Sequence, residues 1–150
     1  MDQNIIDVGI KPIEWVEGKV RWLDTTKLPE KEIYYESIDV ERIARAIERM
    51  EIRGAPAIGV AAALALATVA FNSKATTTHD LANELRKAIE RLARTRPTAM
   101  NLFWALNSIE MVIEGYKNGD VEGLRKAVVR RALEIMRKDI ETNISIGKYG

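Results

Sequence analysis

The chain has 150 residues, one histidine, no cysteine, and 23 Lys and Arg against 22 Asp and Glu, a formal net charge of +1. At that length folding removes roughly 70% of the unfolded surface from water, enough for one domain with a real core. Without cysteine there is no disulfide, thiolate metal site or cysteine nucleophile in this chain, a lone His79 cannot build a multi-histidine metal site, and near-neutrality means that any anion site must be local.

The N-terminus, MDQNIIDVGIKPIEW, lacks the basic start and long apolar core of a secretion signal, so cytoplasmic residence is the default expectation. The longest apolar run falls short of the ~20 residues that cross a bilayer. Alternating apolar and polar residues in IEWVEGKVRWLD, followed by the turn-like TTKLPEK and then EIYYES, predict three short strands: Ile13 to Val16, Lys19 to Leu23 and Glu32 to Glu36. They would form a small antiparallel meander over residues 1–36, which must pack on helices to be stable.

Residues 37–150 read as helical throughout. Asp39 suits the cap of a helix with Val40, Ile43, Ile47 and Met50 at helical spacing, ending near Arg53-Gly54. Pro56 fits the first turn of the next helix, and Pro56 to Phe71 hold only small and apolar side chains apart from Thr68. A helix apolar all round belongs at the centre of a bundle. A third helix is expected from His79 to Ala93, a fourth from about Pro97 to Tyr116, stopped by KNGD, and a fifth from about Val121. The terminal DIETNISIGKYG keeps helix-like spacing at Ile140, Ile144 and Ile146, the pattern expected of a segment of a longer chain. The fold class is therefore α+β, mainly α: a three-stranded sheet packed on about five helices, together one domain.

Arg53 precedes Gly-Ala-Pro and a helix, and Arg96 precedes Pro97 and another. Helix starts offer free N–H groups and a positive dipole end, Gly54 permits close approach, and a guanidinium can hold two anion oxygens. If the two starts lie together they make one phosphate or carboxylate pocket. The competing reading is that each arginine only ends the preceding helix, where a cation offsets the dipole. Trp15 and Trp22, on opposite arms of the hairpin, read as cross-strand core residues, and His79 as a surface or capping residue. Glu51, Asp24 and Asp139 are carboxylates without a paired partner at a known spacing, hence expected on solvated faces or in caps. Asn101, among Leu102, Phe103 and Trp104, is expected to be a buried amide that braces the Arg96 turn.

The blocks VRWLDTTKLPEKEIYYES, RGAPAIGVAAALALA, RPTAMNLFWAL and DIETNISIGKYG occur in the order found in the N-terminal part of methylthioribose-1-phosphate isomerases, a family related to the translation initiation factor 2B regulatory subunits, and the chain resembles that family over nearly its whole length. The resemblance implies an aldose-to-ketose isomerase of methionine salvage that converts 5-methylthioribose 1-phosphate into 5-methylthioribulose 1-phosphate, through a cis-phosphoenolate or a hydride shift, without a cofactor. It also implies substrate contacts from Arg53, Gly54, Ala55 and Arg96, the arginines that the helix starts had selected. The family's catalytic cysteine and aspartate lie in a second, Rossmann-like domain, so no catalytic residue is expected in this chain, which would need that domain as its partner and would be inactive alone. The full-length family implies a homodimer, with no nucleic-acid or membrane partner. Related alternatives are a non-catalytic initiation factor 2B-like sensor of a phosphorylated sugar or nucleotide, and isomerases of 5-deoxyribose 1-phosphate or ribose 1,5-bisphosphate; the APAIG continuation disfavours the last.

Overall fold

Alternation around Glu17-Gly18 yields a tight hairpin. In the computed structural model, which describes residues 12–117 and 119–149 with side chains through residue 139, β1 (Ile13–Val16) and β2 (Lys19–Leu23) pair antiparallel across a two-residue turn. Both turn residues have positive φ, 52° at Glu17 and 86° at Gly18, as a turn matching strand twist requires. β3 (Tyr34–Ser37) completes the sheet in the order β1-β2-β3. Residues 1–11 of the expected meander segment, and the side chains of Ile140, Ile144 and Ile146, lie outside the described residues.

Register decides what the sheet buries. Ile13 and Tyr35 both oppose Trp22, while Trp15 opposes Val20, so one face is apolar and packs on the helices. Val20 and Trp22 are wholly buried, and Trp15 meets Phe71 edge-on at 5.8 Å, so both tryptophans serve the core as expected. The third strand starts two residues later than Glu32. The reason is local: Asp24 leaves β2 to cap a 3-10 turn (Thr25–Lys27), accepting from the Thr26 N–H, so the last ladder rung is Leu23 opposite Tyr34.

Five helices follow: α1 (Val40–Glu48), α2 (Ala55–Asn72), α3 (Thr78–Ala93), α4 (Met100–Gly115) and α5 (Val121–Tyr149). Asp39 caps α1, accepting from Glu41 N–H at 3.0 Å. Thr77, not His79, caps α3. α2 is central, touching the other four helices, β1 and β2. Its length and composition would also suit a membrane span, but 67% of it is buried inside the protein, the environment of a core helix. Near the α2 start, a Cβ built on Gly59 would lie 3.0 Å from the Asn101 carbonyl oxygen. That approach seats the first turn of α4 against the first turn of α2.

Two helix ends depart from expectation. α1 stops at Glu48 rather than near Arg53. Met50 takes φ 66°, the Glu51 N–H donates to the Ala46 carbonyl at 2.9 Å and the Met50 N–H to Ile47 at 3.2 Å, a Schellman closure with Met where glycine is usual. α4 begins at Met100 rather than Pro97 because Pro97-Thr98 form a turn, closed by the Ala99 N–H on the Arg96 carbonyl at 3.0 Å, and Ala99 is extended.

Candidate functional site

The segment between α1 and α2 is anchored from beneath. Glu51 is only 8% exposed, and its carboxylate accepts from Trp22 Nε1 at 3.0 Å and from Arg42 Nη2 at 3.0 Å. Its expected place on a solvated face or in a cap is therefore overturned, because the buried indole N–H needs an acceptor and the carboxylate supplies it. From that anchor the chain passes through buried Ile52 to exposed Arg53 and Gly54.

Gly54 stands at φ 94° as the N-cap of α2, a conformation that favours glycine, and no side chain caps the helix there. Pro56 falls in the first turn as expected. The unpaired first-turn N–H groups of α2, fewer by one at Pro56, and the positive end of its dipole therefore lie at the helix start that follows Arg53 in the chain.

Arg53, Gly54 and Arg96 line one open cleft of about 720 Å³, together with Thr25, Leu28, Pro29 and Met50. Two arginines from separate inter-helix segments thus converge, while Ala55, exposed at the start of α2, stands outside the lining. Among the described residues no acidic side chain lines the cleft. Among the described residues neither arginine has a carboxylate within 4.0 Å.

Arg96 Nη1 is shielded from solvent and, among the described residues, has no hydrogen-bond partner. Arg42 Nη1 shares that state, but its guanidinium lies 5.0 Å from the Trp22 and Tyr35 ring centroids, whose faces attract the cation. No ring does this for Arg96 among the described residues. A shielded donor without an acceptor is costly.

The lining also holds apolar side chains, Leu28 and Met50, each about two-fifths exposed, and Pro29. The cleft therefore offers both cationic and apolar groups to a ligand. Sequence reasoning missed Thr25, Leu28 and Pro29 as cleft residues, because TTKLPEK carried only a turn signal and nothing tied it to a segment so distant in sequence.

The remaining candidates fall outside the cleft. Asn101 is exposed, correcting the buried amide expected there: α4 turns it away from Leu102 into a second, smaller cleft with Trp104 and Asp139. Burial pushes the Asp139 carboxyl above its usual range. Asp24 is 2% exposed and acts as a cap. His79 is exposed in the first turn of α3, 3.2 Å from Asn83. Among the described residues no cluster of His, Asp or Glu could hold a metal ion.

A cationic cleft at the start of a buried helix, on a bundle flanked by a small sheet, defines a class already known. Residues 51–150 match the Initiation factor 2 subunit family, and the chain belongs to that family. Within it, the chain is 44% identical over 140 residues to methylthioribose-1-phosphate isomerase 2 of Pseudothermotoga lettingae, a match covering 93% of this chain and 40% of that protein. The crystal structure of 5-methylthioribose 1-phosphate isomerase from Pyrococcus horikoshii superposes with a TM-score of 0.89 at 37% identity, over 93% of this chain and 39% of that one. Translation initiation factor eIF-2B subunit delta from A. fulgidus gives 0.79 at 34% identity, over 88% and 38%. The chain thus spans about 40% of the length of the curated relatives it matches.

Proposed function

We propose that this chain is the substrate-gripping part of an aldose-ketose isomerase that converts 5-methylthioribose 1-phosphate into 5-methylthioribulose 1-phosphate in methionine salvage. The observation that carries this reading is the convergence of Arg53, Gly54 and Arg96 on one cleft with a shielded, unpartnered Arg96 donor. Arg53 and Arg96 hold the phosphate on C1 and Gly54 lets it approach the α2 backbone, while Ala55, outside the lining of the cleft, enters as a substrate contact on the family resemblance alone. The apolar lining of Leu28, Pro29 and Met50 suits a substrate that carries an apolar group, which favours a methylthio or deoxy C5 over a second phosphate. Relatives at about 40% identity carry the isomerase name.

Isomerisation moves hydrogen from C2 to C1 with no net gain or loss of atoms, so the chemistry needs a group that handles that hydrogen and a wall that excludes water. The cleft is open, and among the described residues its lining holds no carboxylate or histidine. In this reading those parts come from a second domain, and the full-length protein works as a cytoplasmic homodimer.

The 150-residue chain should bind 5-methylthioribose 1-phosphate, detected by calorimetry, and form no 5-methylthioribulose 1-phosphate. Rapid turnover by the purified chain would overturn the division of labour. The likeness to an eIF-2B subunit supports a second reading, a non-catalytic sensor. Tighter binding of a nucleotide than of the sugar phosphate would favour it.

A further inference from the structure

We propose that Thr25 is a positioning residue for the anion site, clamping the segment that carries Arg53 from the β2–β3 connection. The inference rests on the reading of the cleft as an anion site. Thr25 Oγ1 donates to the Met50 carbonyl at 2.9 Å, and the Thr25 N–H donates to the Glu51 carbonyl at 2.9 Å. One residue of the β2–β3 connection thereby grips two successive carbonyls of the segment leading to Arg53. Its own conformation is set by Asp24, whose carboxylate accepts from both the N–H and the hydroxyl of Thr26.

The grip falls where the backbone most needs it. Met50 has φ 66°, a region that a side chain with a Cβ enters at a cost and keeps only when its surroundings hold it there. The α1 closure and the buried Glu51 side chain hold the segment from within the fold. Thr25 holds it from the cleft, and the direction in which Arg53 and Gly54 leave Ile52 depends on both.

Thr25 lines the cleft but does not itself serve the anion. A threonine hydroxyl has one proton to donate, and here it goes to the Met50 carbonyl, so Thr25 acts on the anion through Arg53. A substitution that keeps the shape and loses the donor should therefore loosen the site. One that keeps the donor should not.

The test uses the whole chain with inorganic phosphate as the probe, followed by amide NMR titration, and with melting recorded for each variant so that binding is compared between folded proteins. Thr25→Val should raise the phosphate Kd about tenfold, the effect of one lost hydrogen bond on a preorganised site. Thr25→Ser should stay within about twofold of the parent, since its hydroxyl donates equally well. Thr25→Cys, close in shape but a weak donor, should follow Thr25→Val and serves if that variant does not fold. Parent-like affinity in Thr25→Val or Thr25→Cys, alongside a large loss in Arg53→Ala, would overturn the positioning role and leave the anion site intact. Equal binding by the parent and Arg53→Ala would overturn the site itself and this inference with it.

Discussion

Replacing Glu51 by alanine strips the foundation of the Arg53 segment without touching the cleft. The substitution leaves the indole N–H of wholly buried Trp22 without an acceptor, a loss of about 1–3 kcal/mol. It also removes the carboxylate paired with Arg42, whose side chain is 31% exposed, so that part is nearer the ~1 kcal/mol of an accessible pair than the larger figure for a buried one. Arg42 keeps its place over Trp22 and Tyr35, which limits the damage. Together the losses predict a destabilisation of about 2–4 kcal/mol for Glu51→Ala. Glu51→Gln retains an oxygen that can face Trp22 and should lose only about 1 kcal/mol. Urea unfolding followed by far-ultraviolet circular dichroism measures both. A Glu51→Ala cost below about 0.5 kcal/mol, the range of an ordinary surface change, would refute the view that this carboxylate is a buried anchor.

Two further substitutions probe other parts of the frame. Arg91 bonds Glu41 and Glu48 across α1 and α3, and with Arg45 it lowers the Glu41 carboxyl from its ordinary 4.5 to about 2. The folded-state pKa lies below the unfolded one, so this contribution to stability is complete above about pH 4.5 and is lost as pH falls towards 2. Arg91→Ala should flatten that part of the acid profile, and a carbon-13 titration placing Glu41 at its ordinary midpoint would contradict the pairing. Gly59→Ala puts a methyl group 3.0 Å from the Asn101 carbonyl oxygen. Prising α4 from α2 should cost about 1–3 kcal/mol in urea unfolding and weaken phosphate binding by displacing Arg96; parent-like values in both would show that the helices yield freely.

Local signals carried most of the architecture. The hairpin was legible because alternation and a turn dipeptide lie within twelve residues, and α2 because an all-apolar run of that length has few other solutions. Boundaries failed where backbone bonds override side-chain pattern: Met50 keeps helical spacing but leaves α1 in a left-handed conformation, and Pro97, a good first-turn residue, sits instead in a turn ahead of α4. Arg96 therefore stands one turn farther from the α4 N–H groups than its place before a proline suggests. The site was half legible. Arg53 and Arg96 announced themselves beside helix starts, whereas the Glu51 pairing with Trp22 spans 29 residues and the Thr25 grip spans 25, separations at which no pattern in one sequence links partners. Asn101 misled for a related reason, since apolar neighbours in sequence lie on different faces of a helix and do not decide whether an amide is buried.

Whether Arg53 and Arg96 hold one anion together is decided by a double-substitution cycle on phosphate binding. Arg53→Ala and Arg96→Met are titrated with inorganic phosphate singly and combined, in the whole chain. The account predicts that each single change weakens binding about ten- to hundredfold, the range for a lost charge-assisted contact, and that the double variant falls well short of the product of the two because both contacts serve the same ion. Strictly multiplicative effects, or a phosphate affinity indifferent to either arginine, would contradict it and return both residues to the role of helix ends.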